Sequence, residues 1–395
     1  MNEQRLRDEL RGEGSPDRAA RERAWRTVRA AYVQREPQSP PHGPWRRVAA
    51  VTAVLLAVAV AVTTSAPGDA VARWVKRVLG AGQPDARPAL VSVPGGGRLL
   101  VAARPGLWVV APDGAKRLLG RYDDGAWSPR GLFVLAWRGR ELNALEPGGR
   151  VRWSLSREGT IRSASWSPVD GFRVAYVSGS QLRIVNGDGT GDRRYGTASA
   201  RVAPAWRPGS GHALAYADSG GRVRVAAVDA RRQQWRSTPL RGLRRLAWSP
   251  GGERLLALTA TRLVVFDDDG DVMQERGLGA AGRAQDAAWA PSGGRIALLR
   301  HDPRRERSDI VLMTSGGQRL LFSGPGRFGR LAWSPDGRRL LVPWPQADQW
   351  LFLRAGTAPR VTAVANIAAQ FHPGAAHPRF PANAGWCCPG KRGRP

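Results

Sequence analysis

The chain has 395 residues, 42% of them apolar, which exceeds one typical domain and is enough for a sizeable hydrophobic core. Its formal net charge of +29 by itself points to an anionic partner. Only Lys76, Lys116 and Lys391 are lysines, so nearly all of this charge is arginine, and arginine occurs in every part of the chain. That spread favours a compositional bias over a nucleic-acid footprint, and we predict that nucleic acid is not the partner.

Residues 1–46 are polar and arginine-rich, and prolines interrupt their last part. Ser15 fits the N-cap of a helix and Pro16 its first position. Trp25 and Tyr32 would lie on one narrow apolar stripe of that helix. The stretch is predicted to be an arginine-rich helical arm followed by a Pro-rich linker.

An uncharged run follows, from Val48 to Ala66. As a helix it would rise about 28 Å, close to the thickness of the hydrocarbon core of a bilayer. We predict a transmembrane helix over residues 47–66, and the alternative is a cleaved signal peptide. The arginines before the run place the N-terminal arm in the cytoplasm and the rest of the chain outside it.

Residues 67–85 are predicted to form a juxtamembrane amphipathic helix and a linker. Trp74 falls on the apolar face of this helix and Lys76 on its basic face, which suits anionic headgroups. Membrane lipid is therefore the predicted partner of residues 47–80. The alternative is a helix that packs under the following domain.

A tryptophan motif then recurs along most of the remaining chain. Successive tryptophans are 39, 40, 42, 41 and 44 residues apart, and short strand-like runs and Asp-Gly-type turns fill each interval. A period of about 40 residues is typical of a β-propeller with one four-stranded blade per repeat. We predict that the tryptophans pack between blades and bind no ligand. These structural repeat residues are Trp127, Trp166, Trp206, Trp248, Trp289 and Trp333.

Seven second strands can be counted, which predicts an all-β, seven-bladed propeller over residues 86–373. Six blades remain if the first repeat, which lacks its tryptophan, is only a cap. Residues 367–373 have the form of a further innermost strand, and we predict that they complete blade 1 and close the ring. Residues 374–395 are predicted to be an irregular tail, whose adjacent Cys387 and Cys388 cannot join distant segments of the chain.

Two stretches carry a resemblance to a known family: Trp-Ser-Pro-Asp-Gly at 333–337 and Asn-Gly-Asp-Gly-Thr-Gly at 186–191. They resemble the TolB-type, WD-like β-propeller repeats of many bacterial envelope proteins, over about residues 86–373. The resemblance implies an exported propeller that binds proteins or peptides through one face. The layout of arm, single span and external domain is also similar to that of membrane-bound anti-sigma regulators, although the arm has no zinc-type His-Cys-Cys motif.

The sequence offers little catalytic chemistry. It contains no Gly-x-Ser-x-Gly elbow, which disfavours a serine hydrolase. The acidic turn at 267–271 lacks the terminal glutamate of a calcium loop and is explained by hairpin formation. We predict no catalytic residue, no metal and no cofactor.

The loops between second and third strands should open on one face of the ring. Those of blades 6 and 7 are long or aromatic, and blades 1 and 2 would follow them in a closed ring. Tryptophan and arginine together are typical of binding hot spots. The predicted binding residues are Arg104, Trp137, Arg138, His301, Arg304, Arg305, Arg307, Trp344 and Gln349.

The prediction for the whole chain is a single-pass cell-membrane protein with a cytoplasmic N-terminus. Its extracytoplasmic propeller would be a non-catalytic binding or sensing module for a protein, peptide or cell-envelope polymer. The alternatives are a transmembrane anti-sigma-like regulator with a propeller sensor, and a propeller enzyme of lyase or cyclase type.

Overall fold

The computed structural model describes residue 87 and residues 89–168, 172–209, 211–278, 282–292, 294–356 and 360–388. All of them belong to the second of two units into which the chain divides, Pro67–Pro395. The predicted arm (1–46), transmembrane helix (47–66) and juxtamembrane segment (67–85) lie outside the described residues. Within the described part, no helix has the length and apolar character that a membrane span requires.

In the described part of the chain, twenty-eight strands form seven antiparallel sheets of four strands each, so the fold is a seven-bladed β-propeller. The predicted seven blades are confirmed, and the Trp-less first repeat is a full blade. In chain order, blades 1 to 4 contain β1 (Arg98–Ala103), β2 (Gly106–Val110), β3 (Lys116–Gly120); β4 (Asp124–Trp127), β5 (Val134–Arg138), β6 (Glu141–Leu145), β7 (Val151–Ser156); β8 (Ile161–Trp166), β9 (Arg173–Ser178), β10 (Gln181–Asn186), β11 (Arg193–Thr197); β12 (Ala205–Trp206), β13 (Ala213–Ala217), β14 (Arg222–Ala227) and β15 (Arg232–Pro239).

The remaining strands complete blades 5 to 7 and supply the missing strand of blade 1. They are β16 (Arg245–Trp248), β17 (Arg254–Leu258), β18 (Arg262–Asp267), β19 (Val272–Gly277); β20 (Arg283–Trp289), β21 (Ile296–Asp302), β22 (Arg307–Thr314), β23 (Gly317–Pro325); β24 (Ala332–Trp333), β25 (Arg339–Trp344), β26 (Gln349–Arg354), β27 (Val361–Val364); and β28 (Asn383–Cys387).

The C-terminal strand β28 closes the ring, because it pairs with β1 as the innermost strand of blade 1. The prediction that residues 367–373 provide this strand is wrong: Ile367–Phe371 is the short helix α1. Its Ala-Ala-Gln centre favours helix over strand, and the Asp348 carboxylate accepts a hydrogen bond from Ala368 N at 2.7 Å. The propeller therefore continues to Cys387, beyond the predicted limit at residue 373.

Trp386 on β28 stands where the first repeat lacks a tryptophan. It pairs with Leu99, as Trp333 pairs with Leu340 and Trp127 with Val134. All seven blades therefore have a tryptophan at the same position of the innermost strand. In four blades its indole N–H donates to the carbonyl of the residue before the preceding blade's tryptophan, at N···O distances of 3.0 to 3.2 Å. These bonds join Trp206 to Ser165, Trp248 to Ala205, Trp289 to Ala247 and Trp333 to Ala288.

The described residues form seven hydrophobic clusters, each of which lies between two adjacent blades. The cluster between blades 7 and 1 also takes in Ile367 and Phe371 of α1 and, partly buried, Trp386. Burial of apolar surface between neighbours is what stabilises a ring whose single blades have no core of their own. The closing segment is thus part of the core, in contrast to the predicted irregular tail.

The tryptophan motif also fixes the turn to the second strand. In four blades the buried serine after the tryptophan accepts a hydrogen bond from the backbone N–H that opens the next strand, at 2.9 to 3.2 Å. In blade 1 this place belongs to Cys387, which forms a disulfide with Cys388. That disulfide packs against the turn of blade 2, where a side chain at Gly131 would overlap the Cys388 sulfur.

Candidate functional site: the arginine face and its cleft

Antiparallel pairing assigns the connections of every blade to two opposite faces of the ring. The turns between first and second strands, and between third and fourth strands, lie on one face. The turns between second and third strands, and the connections that lead into the next blade, lie on the other. We call this second face the arginine face.

Each of the seven connections into the next innermost strand has an exposed arginine in it or at the first residues of that strand. Because the innermost strands begin there, these side chains surround the mouth of the ring on the arginine face. No ion pair joins any of the seven to a carboxylate of the described residues. The seven are Arg121, Arg162, Arg201, Arg244, Arg283, Arg327 and Arg379.

Acidic residues lie on both faces, and several of those on the opposite face form ion pairs or hydrogen bonds there. Glu146 pairs with Arg150 at 2.7 Å, and Asp229 pairs with Arg173 at 3.0 Å. Asp267 instead accepts backbone N–H groups of its own turn. Other acidic residues in turns on this face are Asp113, Asp188, Asp268, Asp269, Asp271 and Asp336.

The mouth of the ring on the arginine face therefore carries arginines that pair with no carboxylate of the described residues. From the sequence, the presence of arginine in every repeat indicated a charge spread over the whole surface. A propeller converts that repetition into clustering, since equivalent positions of successive repeats fall on the same face. Arginines that lie in successive repeats of the chain therefore come together around one opening of the ring.

A cleft of about 600 Å³ opens on the arginine face between blades 1 and 2, beneath the segment that leads to β28. Its volume lies within the range of ligand pockets. Four arginines line it together with small and aromatic residues. The lining residues are Ala102, Ala103, Arg104, Pro105, Gly106, Arg121, Tyr122, Asp123, Arg138, His372, Arg379, Phe380 and Ala382.

The structure brings only two of the predicted binding residues into this cleft, Arg104 and Arg138, and both are exposed. Trp137 and Trp344, by contrast, are core residues with exposed fractions of 6% and 1%. The Trp344 indole donates to Pro325 O at 3.1 Å and packs edge-on to Phe328. The predicted aromatic half of the binding surface is therefore buried, because these tryptophans belong to strands rather than to loops.

The predicted residues of blade 6 remain on the arginine face but do not line the cleft. Arg304 and Arg305 are exposed on the turn between β21 and β22, and Arg307 donates to Ser323 at 2.6 Å. His301 is buried, with its Nδ1 3.1 Å from Ser308 Oγ. These positions are extra positive charge beside the ring mouth, with the histidine as part of the packing.

Gln349 of blade 7 is half-buried at the start of β26, outside the cleft lining. The neighbouring Asp348 is also half-buried. Burial raises the pKa of the Asp348 carboxyl above its ordinary value, against the hydrogen bond from Ala368 N. This contact ties the blade 7 loop to α1 and so positions the segment that covers the cleft.

The cleft residues that were absent from the prediction include Arg121, Tyr122, Arg379 and Phe380. Arg121 and Tyr122 lie in a connection between blades, and the only feature of the sequence that could have indicated them is the arginine that recurs at the equivalent place of each repeat. Arg379 and Phe380 belong to the stretch predicted to be an irregular tail. Their role depends on the return of the C-terminus to blade 1, for which Trp386 within Trp-Cys-Cys-Pro-Gly was an unrecognised copy of the repeat motif.

A second polar cluster lies on the same face, in a cleft of about 1000 Å³ between blades 2 and 3. Arg157 and Arg183 both bind the carboxylate of Asp192, and the Tyr176 hydroxyl donates to it at 2.6 Å. Burial raises the pKa of Asp192, but the hydrogen bonds from Arg183, Tyr176 and Arg157 outweigh it and leave the pKa below its usual value. Burial and the bond to Asp192 raise the pKa of Tyr176 to about 12. These pKa shifts arise because the charged and polar groups of the cluster bind one another, so the cluster joins blades 2 and 3.

Fold and surface together define the class: a seven-bladed β-propeller built from WD-like repeats, with exposed arginines around the mouth of one face. No protein-family model and no curated protein matches the chain. Among solved structures, the chain is similar to hydrazine synthase of Kuenenia stuttgartiensis, with 16% identity, a TM-score of 0.50 and coverage of 58% of this chain and 75% of that one. A chain in the crystal structure of the mitotic checkpoint complex is similar with 17% identity, a TM-score of 0.51 and coverage of 67% and 94%. At such identities the likeness shows the fold alone.

Proposed function

We propose that this protein is a membrane-anchored binding or sensing module, whose extracytoplasmic propeller holds an anionic protein, peptide or cell-envelope polymer on the arginine face. The observation that carries the proposal is the ring of seven exposed arginines without carboxylate partners among the described residues. Exposed cations that no internal carboxylate neutralises attract and orient an anionic partner. The module is non-catalytic in this proposal.

Membrane attachment is the second half of the proposal and rests on the sequence. The uncharged run 48–66 has the length of a span, and the arginines before it favour a cytoplasmic N-terminus. The resemblance to TolB-type repeats of envelope proteins supports the same placement for the propeller. The similar chain of the mitotic checkpoint complex is itself part of a complex, which is in keeping with propellers as partner-binding scaffolds.

The binding half is tested by cross-linking the full chain in its own membrane, followed by mass spectrometry of captured molecules. The face variant replaces Arg201, Arg283 and Arg327 by serine. We expect it to lose most of the capture, because removing charge around the mouth lowers both the association rate and the affinity. An unchanged capture by the face variant would overturn the binding role assigned to this face.

A matched control keeps the charge change and moves it to the other side of the ring. Arg130, Arg194 and Arg338 are exposed on the opposite face or on an outer strand that leads from it. Their replacement by serine removes the same formal charge, and we expect capture to stay within about twofold of the parent chain because these side chains do not border the mouth. Equal losses in both variants would show a response to total charge and would refute a specific face.

Membrane placement is tested separately, by alkaline extraction of membranes and protease treatment of intact cells. An anchored propeller stays in the membrane fraction at high pH and is digested from outside. Release into the soluble fraction, or protection of the propeller in intact cells, would refute the anchored, extracytoplasmic arrangement.

A further inference from the structure

The cleft between blades 1 and 2 has more specific chemistry than the ring of arginines around it. Its four arginines are Arg104, Arg121, Arg138 and Arg379, and no guanidinium of these four donates a hydrogen bond to, or pairs with, a described residue. The cleft's one carboxylate, Asp123, accepts a hydrogen bond from Gly139 N at 3.1 Å. Four cations therefore converge on one opening with their hydrogen-bond donors unused.

The floor of the same cleft is apolar and is formed largely by small residues. Ala102, Ala103 and Gly106 come from the β1–β2 hairpin, and Ala382 and Phe380 come from the segment that leads to β28. Small side chains leave volume at the floor, and the half-buried Phe380 ring offers an aromatic wall. A uniformly charged polymer has no group that would use such a floor, whereas an apolar side chain of a peptide would.

Backbone pairing holds the cleft walls in place. Ala382 N donates to Ala102 O at 2.9 Å, which continues the β1–β28 ladder into the cleft. Asp123 N donates to Trp137 O at 2.8 Å, so the wall from blade 2 is fixed as well. The backbone of Arg379 donates to Nδ1 of His372 at 3.2 Å. A site formed in advance loses little conformational entropy when a ligand binds.

We propose that this cleft docks an acidic peptide segment of a partner protein, with carboxylates on the arginines and an apolar side chain on the floor beside Phe380. The inference rests on the proposed binding function and narrows it to a ligand chemistry and a position. Arginine suits carboxylates because its planar guanidinium donates two parallel hydrogen bonds to them. The arginines around the mouth attract the acidic peptide, and the apolar floor of the cleft favours peptides with an apolar side chain.

The test uses fluorescence anisotropy with the full chain in non-ionic detergent and three defined probes. The first is a labelled peptide of alternating glutamate and phenylalanine, the second alternates glutamate and serine at the same charge, and the third is inorganic polyphosphate as an unlabelled competitor. The cleft variant replaces Arg121, Arg138 and Arg379 by serine. The control variant is the face variant Arg201→Ser, Arg283→Ser, Arg327→Ser, which removes the same charge outside the cleft.

We expect the Glu-Phe peptide to bind at least about tenfold more tightly than the Glu-Ser peptide, since only it uses the floor. The cleft variant should weaken Glu-Phe binding by about tenfold or more, and the control variant by no more than about threefold. Replacement of Phe380 by Ala should remove the preference for phenylalanine and leave Glu-Ser binding unchanged. All substituted arginines are exposed, so circular dichroism should show an unaltered fold.

Three results would overturn the inference. The two peptides could bind with equal affinity, or the cleft and control variants could lose equal affinity for the Glu-Phe peptide. Polyphosphate could also displace the labelled Glu-Phe peptide at a lower concentration of negative charges than unlabelled Glu-Phe peptide needs. The last would point to a polyanionic polymer instead. The outcome is separable from that of the proposed function. Capture from membranes that depends on the arginine face, without peptide selectivity at the cleft, leaves the binding module standing and removes only the peptide.

Discussion

Replacement of Trp386 by alanine should destabilise the propeller about as much as loss of a tryptophan inside the repeats. The Trp386 indole donates to Gly96 O at 2.8 Å and packs edge-on to Phe352, with ring centroids 5.6 Å apart. It belongs to the cluster that joins blades 7 and 1. Truncation of a buried tryptophan costs about 3–5 kcal/mol, and because Trp386 is only half-buried we expect about 3 kcal/mol.

The assay is urea unfolding of the full chain, followed by circular dichroism. With a denaturant dependence of about 3 kcal/mol per molar urea, a loss of about 3 kcal/mol moves the midpoint down by about 1 M. Met273 provides the control, because it is exposed on an outer strand, and its replacement by alanine should change stability by less than about 0.5 kcal/mol. A Trp386→Ala midpoint within error of the parent chain would show that β28 does not close the ring.

Three further predictions concern the turns, the loops and the polar cluster between blades 2 and 3. Gly131 has a φ of +63°, and in Gly131→Ala the added methyl group overlaps the Cys388 sulfur, so this variant should lower the free energy of unfolding in urea by about 1–3 kcal/mol. Gly139 has a φ of +54° with open space around it, so Gly139→Ala should lower the free energy of unfolding by about 1 kcal/mol. Equal losses in the two variants would refute the packing of the disulfide on blade 2. Trp344→Ala should lower the free energy of unfolding by about 3–5 kcal/mol and leave anisotropy of the Glu-Phe peptide unchanged in native conditions; the reverse pattern would restore Trp344 as a contact residue. Asp192→Asn should lower the free energy of unfolding by about 2–3 kcal/mol at pH 7, since the guanidiniums of Arg157 and Arg183 lose their shared carboxylate. Because the pKa of Asp192 is lowered in the folded chain, the difference in stability between the variant and the parent chain should shrink as the pH falls below about 4. A difference that does not change with pH would contradict an ionised Asp192 between the two arginines.

Much of the candidate site could not be derived from the sequence, although two of its residues were. Arg104 and Arg138 were found because hairpin turns between second and third strands must share one face. Trp344 was misplaced because a long loop was inferred where β25 continues to the tryptophan and only the short turn 345–348 follows. Whether a tryptophan next to a loop points outward or inward depends on the neighbouring blade, which local sequence does not specify.

The sequence by itself determined the repeat: a tryptophan, a serine turn and a following strand, at a spacing that fits four short strands. Those features are local, since turn chemistry and alternation act over a few residues. The tertiary structure decided what depends on contacts across the chain: that β28 rather than residues 367–373 closes the ring, that Trp386 is the seventh tryptophan, and that arginines about 40 residues apart border one opening. A short apolar segment folds as helix or strand according to what it packs against, so its role becomes fixed only when the two ends of the propeller meet.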